Sequence, residues 1–236
     1  MSDSQPELLL LYRDKHLLAV SKPSGLAVHR GWSQDRITAL PLARRMAGCR
    51  VHPIHRLDRP TSGVLLFALD QETTRRVQRS FEAAEVTKRY LALVRGIPPQ
   101  QGVIDHPVPR TPRGERVPAI TEFRRLGSFE RFSLVEARPR TGRLHQIRRH
   151  LKHLTHPLVG DVRYGKGDIN RHFRQRFGLH RLALHALELS LPHPYGGDFL
   201  SLRAPLPEDL EGPLRAMGLW PTATLDGPRQ SLAPAP

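Results

Sequence analysis

Apolar residues along this chain come mostly in short runs, and the spacing within each run separates strands from helices. Leu8 to Tyr12 and Leu17 to Val20, split by the polar Arg13-Asp14-Lys15-His16, predict a β-hairpin. The turn formers Lys22-Pro23-Ser24-Gly25 end its second strand. Val64 to Leu69 is an uncharged apolar run with the length of a buried strand. Lys88 to Val94, stopped by Gly96, reads as another. Ile120 to Leu126 and Phe129 to Val135, broken at Gly127-Ser128, predict a further hairpin, and Leu182 to Leu191 and Phe199 to Leu202 two later strands. Helical spacing is weaker but present. Asp35 to Ala47 predicts a short helix limited by Pro41. Gln71 to Ala84 predicts a second, with Val77 and Phe81 four apart and Arg75, Arg76 and Arg79 on a basic face. Thr141 is a candidate cap for a helix from about Gly142 to Leu154, and Glu208 to Met217 a last helix interrupted by Pro213. Pro98 to Pro118 reads as a loop or extended arm, Gly160 to Gly178 as a polar and basic loop, and the proline-rich residues 221–236 as a disordered tail. Strands paired locally with helices interspersed predict one α+β domain over residues 1–220. Its sheet is mixed and largely antiparallel, flanked by helices and loops.

Charge narrows the partners. Lys and Arg number 37 against 22 Asp and Glu, a net charge of +15 on 236 residues. An excess of that size suits a polyanion, with nucleic acid first. An anionic membrane surface would call for a basic amphipathic helix near a terminus, whereas the first seven residues are polar and acidic. Nothing approaches the roughly 20 apolar residues of a membrane span. The single cysteine, Cys49, excludes an intramolecular disulfide and any Cys-x-x-Cys metal site. These features predict a soluble, cytoplasmic, monomeric protein without metal or cofactor.

Two stretches carry candidate chemistry. In His55-Arg56-Leu57-Asp58-Arg59-Pro60-Thr61-Ser62-Gly63 a carboxylate between two arginines sits in the turn feeding the most apolar strand. Arg56 and Arg59 favour its ionised form, and an ionised, positioned carboxylate serves as nucleophile or general base. The plainer reading is that Asp58 caps its own turn. In the second stretch, Leu144, Ile147, Leu151 and Leu154 form one helical stripe. His145, Gln146, Arg149, Lys152 and His153 fall on the opposite side. Arg148 alone lies on the margin of the apolar stripe. It either snorkels along its methylenes or meets a buried acceptor, since an unpaired buried charge costs several kcal/mol. Asp58 is then a plausible bidentate partner. His145, His150, His153 and His156 cluster in sequence but do not converge on a helix, and they lack the His-x-x-x-His pair with a glutamate between. Gly165-x-Gly167 lacks the third glycine of a dinucleotide fingerprint.

These stretches resemble the motifs of the pseudouridine synthases, specifically the ribosomal large-subunit synthase A family. His55 to Gly63 is similar to the catalytic motif, Lys88-Arg89-Tyr90 to the second and Thr141 to Arg148 to the third. Leu184-His185-Ala186 is similar to a short signature near the C-terminus. Within that family, Val28-His29-Arg30-Gly31-Trp32 and Gly160 to Asp168 are similar to the tRNA pseudouridine synthase C branch, which modifies uridine sixty-five of tRNA. The segment between Val94 and Ile120 is shorter than in that branch, and Arg149 stands where many relatives carry a smaller apolar residue. No room precedes Leu8 for the S4-type RNA-binding domain of some members.

The resemblance implies isomerisation of uridine to pseudouridine in RNA, tRNA before ribosomal RNA, with no cofactor. Asp58 would be the reacting carboxylate, attacking C1′ or removing a sugar proton, and Arg148 its ion-pair partner. Tyr90 would stack on the uracil, with Leu184 in the uracil pocket. Arg56, Arg59, Lys88, Arg89, Arg143 and Arg149 would contact RNA.

Overall fold

The protein is described by a computed structural model over residues 6–30, 37–111, 114–197 and 199–220. Gly31, Trp32, Asp35 and the tail 221–236 lie outside these residues. The predicted N-terminal hairpin is β1 (Leu9–Arg13) against β2 (Leu17–Lys22). Next come α1 (Ala39–Ala47), the short β3 (His52–Pro53) and β4 (Ser62–Ala68), the uncharged run, buried along its whole length. In β2 and β4 alternate side chains enter different cores, as the two-residue period of a strand requires. Leu18, Val20, Leu65 and Phe67 pack with Ala39 and Ala43 of α1. Leu17, Ala19, Val64 and Leu66 pack instead with Val77 of α2 (Gln71–Glu82). Asp70 caps α2 by accepting the Thr73 N–H at 2.7 Å.

The second half of the sheet is built from β5 (Thr87–Arg95), β6 (Gln101–Asp105), β9 (Ile120–Phe129), β10 (Phe132–Pro139), β11 (Leu184–Pro192) and β12 (Phe199–Arg203). Strand order is β1-β2-β4-β11-β5-β10-β9-β6, with β12 on β11 and β3 on β4. Every pairing is antiparallel except β4 with β11, so the sheet is mixed and largely antiparallel, as expected. That one parallel contact brings Ser62-Gly63 beside His185-Ala186. A Cβ on Gly63, whose φ is +118°, would collide with the Ala186 carbonyl, so the approach requires glycine. Helix α3 (Gln146–His153) packs Ile147 and Leu151 against Ala92, Val94 and Val135. Helices α4 (Gly167–Phe177) and α5 (Glu208–Ala216) pack Phe173 and Leu214 against Leu91, Leu93 and Leu134, from the alternate positions of the same strands.

Several local expectations fail for identifiable reasons. Pro41 lies inside the first turn of α1 rather than ending it, because first-turn N–H groups have no helical partner to lose. The described residues between 98 and 118 form edge strand β6 and a small ladder of β7 (Val108–Pro109) with β8 (Arg116–Val117). Pro98, Pro99, Pro107 and Pro118 flank these strands, and edges tolerate them. Strand β9 runs through Gly127-Ser128, its register slips by one residue at Leu126 as a bulge, and the reversal falls at Glu130 with φ +50°. The stretch read as loop from Gly160 holds α4, because Ile169 and Phe173 recur at helical spacing and Gly178 closes it at φ +66°. Helix α5 continues through Pro213, with the Met217 N–H bonding the Pro213 carbonyl at 3.2 Å. Finally, α3 begins at Gln146 and not at Gly142. Thr141 does not cap it. Its hydroxyl donates to Gln146 Oε1 at 2.7 Å, while Gln146, expected to face water, is buried and bonds Thr121, as does the buried His150.

Candidate active site

Asp58 sits in the loop between β3 and β4, anchored by buried Leu57. The turn is closed by its main-chain oxygen, which accepts the Thr61 N–H at 3.0 Å, so the side chain is left for other partners. The loop is laced to the turn after β2. Ser24 Oγ donates to the Pro60 carbonyl at 2.8 Å, and Arg59 Nε to the Gly25 carbonyl at 2.9 Å. Beneath it lies Lys22, fully buried, whose Nζ donates to the carbonyls of Pro23, Leu26 and Arg59 at 2.8, 2.7 and 3.2 Å. Burial and the nearby Arg181 lower its pKa to about 7, although Asp58 pulls the other way.

The predicted meeting of Arg148 with Asp58 is present, with Nη1 donating to Oδ2 at 2.9 Å. The predicted bidentate geometry belongs to a different acid. Arg148 Nε and Nη2 donate to Oδ2 and Oδ1 of Asp161 at 2.7 and 2.9 Å. Asp161 Oδ1 also accepts the N–H groups of Arg163 and Tyr164, each at 2.9 Å. Burial works against charge on Asp161, but these hydrogen bonds, Arg148 first, outweigh it and hold its carboxyl below the usual range. The turn carrying Asp161 is pinned by Asn170 of α4, which accepts the Gly160 N–H at 2.8 Å and donates to the Asp161 carbonyl at 3.1 Å. Arg148 is thus fully braced behind Asp58. The Asp58 side chain stays 18% exposed.

Tyr90 projects from β5 into the cluster containing Leu184, and burial, then the charge of Asp58, raises its hydroxyl pKa. Leu184 is 4% exposed and packs within the core, which leaves a uracil little of it to touch. His145 lies beside Asp58, with Nε2 3.7 Å from Oδ2. Its φ of +54° puts it in the left-handed region at the N-cap of α3, a strained place for a non-glycine residue.

The basic residues divide. Arg56, Arg59 and Arg143 are exposed. Lys88 donates to the Thr141 carbonyl at 3.3 Å, and burial lowers its pKa to about 8. Arg89 is committed inside the sheet, bonding Glu136 at 2.7 Å and Glu188 at 2.8 Å. Arg149 likewise spends its guanidinium on the Tyr164 hydroxyl and on the carbonyls of Pro109 and Leu144. Both were expected on the RNA; their hydrogen bonds make them part of the scaffold. Among the described residues, no cluster of His, Cys, Asp or Glu is arranged to hold a metal ion. No described helix is long and apolar enough to cross a membrane.

Residues 16–153 match the family model for RNA pseudouridylate synthase. The chain belongs to the RNA pseudouridylate synthase family. It is therefore an isomerase of uridine in RNA. Curated proteins carry the resemblance along most of the chain. A tRNA pseudouridine synthase C of Vibrio cholerae is 40% identical over 92% of this chain and 98% of its own length. One of Haemophilus ducreyi is 42% identical over 80% and 86%. Against one of Pectobacterium carotovorum, 40% identical, 84% of this chain is matched but only 58% of the relative's length. Among solved structures, Human RNA Pseudouridylate Synthase Domain Containing 4 superposes with a TM-score of 0.73 at 29% identity, over 89% of this chain and 93% of that one. The family match holds Asp58, Tyr90 and Arg148 but ends before Asp161, Arg181 and His185.

Asp161, Lys22 and His145 are what sequence reasoning missed as parts of the site. Asp161 had a signal, an acid directly after Gly160 in a largely basic stretch. Lys22 had only its place in a turn.

Proposed function

We propose that this pseudouridine synthase acts on tRNA, at uridine sixty-five, with Asp58 as the carboxylate that opens the glycosidic bond. The reading is supported by the names of the relatives above and carried by one observation, the Arg148–Asp58 contact at 2.9 Å. In the reaction the N1–C1′ bond breaks, the uracil turns over, and C5 bonds to C1′. One proton leaves C5 and one is gained at N1. No electron or group is exchanged with another molecule, so the chemistry calls for no redox cofactor. Attack at C1′ and removal of a sugar proton both need a carboxylate braced from behind and open in front. Arg148 supplies the brace. Tyr90 stacks on the uracil beside it, and the target nucleotide leaves its helix to reach Asp58, at a cost of a few kcal/mol. Exposed Arg56, Arg59 and Arg143 meet phosphates. The catalytic unit is residues 1–220, acting as a monomer in the cytoplasm, where tRNA is matured.

The test uses tRNA tritiated at uracil C5. Wild-type protein releases tritium and leaves a carbodiimide-stable adduct at one position. Asp58→Asn keeps its melting temperature and tRNA affinity and releases none. Turnover by that variant near the wild-type rate refutes the assignment. Release only from ribosomal RNA transcripts refutes the tRNA target.

A further inference from the structure

Two buried relays in this protein share one wiring. In the first, Arg181 Nη2 donates to Ser62 Oγ at 2.6 Å, Ser62 contacts His185 Nδ1 at 2.8 Å, and His185 Nε2 reaches the Ala204 carbonyl at 3.3 Å. A backbone carbonyl can only accept, so the His185 imidazole keeps its hydrogen on Nε2 and takes the Ser62 hydroxyl proton at Nδ1. In the second, Arg149 Nε donates to the Tyr164 hydroxyl at 3.1 Å and that hydroxyl contacts His145 Nδ1 at 3.0 Å. An ionised carboxylate likewise only accepts, so the tautomer favoured here carries its hydrogen on Nε2, towards Asp58, while Nδ1 accepts from the Tyr164 hydroxyl. This relay ends not on a backbone carbonyl but 3.7 Å from Oδ2 of Asp58.

Several features keep the His145 imidazole neutral. Burial lowers its pKa to about 4, and Arg148, Arg149 and Arg163 act in the same direction against the pull of Asp58. Arg148, Arg149, Lys152 and Arg163 all lie within 6 Å of the Tyr164 ring centre, so the relay is walled by cations. A neutral imidazole with a settled tautomer offers one N–H in one direction. Both groups directed at the Asp58 carboxylate, Arg148 Nη1 and His145 Nε2, are directed at Oδ2. Among the described residues no hydrogen bond engages Oδ1.

We propose that His145 is a positioning residue for Asp58: its Nε2–H, with Arg148, holds Oδ2 so that Oδ1 is presented to the ribose. The two atoms stand 3.7 Å apart, and catalytic contacts of this kind shorten when substrate fills the site. The left-handed backbone at His145 is the strain accepted to aim the ring from the helix end. The inference rests on the catalytic role of Asp58 proposed above and adds which of its oxygens reacts and what aims it.

The test measures kcat and KM for tRNA in full-length variants whose melting temperatures match wild type. His145→Ala lowers kcat at least tenfold with KM within twofold. His145→Gln, whose amide N–H reaches the place of Nε2–H, recovers most of that loss. Tyr164→Phe lowers kcat in the wild-type background, by freeing the tautomer, and has no further effect on His145→Ala. Unchanged kcat in His145→Ala, or full additivity of the two changes, overturns the proposal. Equal loss in His145→Gln and His145→Ala overturns it too. Asp58→Asn run alongside separates the two levels. If it is inactive while His145→Ala is unaffected, only the positioning role falls; if it is active, the assignment of Asp58 falls.

Discussion

Arg148 and Asp161 meet in a two-point fork of 2.7 and 2.9 Å, both side chains almost wholly buried, while Asp58 receives a single bond from the same guanidinium. Asp161 is therefore the structural anchor and Asp58 the working end. Replacing Asp161 by Asn removes a charge that Arg148 requires and leaves a buried cation incompletely paired. Breaking such a pair costs about 3–5 kcal/mol. We expect Asp161→Asn to lower the urea midpoint by a corresponding amount and to reduce tritium release more than tenfold. A variant as stable as wild type would show that Arg148 finds another acceptor.

Acid should unfold this protein in a window set by histidines. Burial lowers His55, His145 and His185 each to about 4 from an ordinary 6.5, helped by Lys88 at His55 and by Arg181 at His185. Between those values the unfolded chain binds protons that the folded chain refuses, so stability is full above pH 6.5 and drains as pH falls towards 4. Each such proton contributes a slope of roughly 1.4 kcal/mol per pH unit. Urea midpoints at half-unit steps should fall through this range before the carboxylates titrate. Imidazole resonances of the three should show no protonation at pH 5.5, and titration of any near 6.5 would contradict the assignment.

RNA binding should separate exposed arginines from committed ones. Neutralising phosphates releases counterions, so each lost contact shallows the dependence of log K on log salt by about one. Arg56→Gln and Arg143→Gln should each do so without changing the melting temperature. Arg89→Gln should leave the salt slope intact and destabilise the fold, because Glu136, which is 1% exposed, loses its Oε2 partner and keeps only Arg138 at hydrogen-bond distance. A reduced slope for Arg89→Gln would return that residue to the RNA surface.

Gly63 should tolerate no side chain. Its φ of +118° and the Ala186 backbone beside it leave no room for a Cβ. Gly63→Ala should part β4 from β11 at the one parallel contact of the sheet, displacing Asp58 and costing several kcal/mol of stability. Native stability in that variant, read by thermal unfolding, would show that the strands can separate at little cost.

Most of the architecture follows from local pattern. The buried strand after Asp58, the N-terminal hairpin and the capped α2 are written in runs of a few residues, where side-chain period and turn chemistry act directly. The breaks were less legible. The strand continued through Gly127 with a bulge at Leu126, Pro41 and Pro213 were absorbed into helices, and α4 was hidden among charges, because in each case packing against the sheet outweighed the local preference. At the site, the sequence by itself determined that an acid and an off-stripe arginine had to be accounted for, since a buried charge demands a partner. It did not determine which acid takes the fork. Asp58 and Asp161 are equal as residues, and their separation into reacting end and anchor comes from the turn that Asn170 pins and from the N–H groups of Arg163 and Tyr164 that point at Asp161. The proton on His145 was decided in the same way, by a tyrosine hydroxyl on one side of the ring and a carboxylate on the other that only the folded chain brings into line.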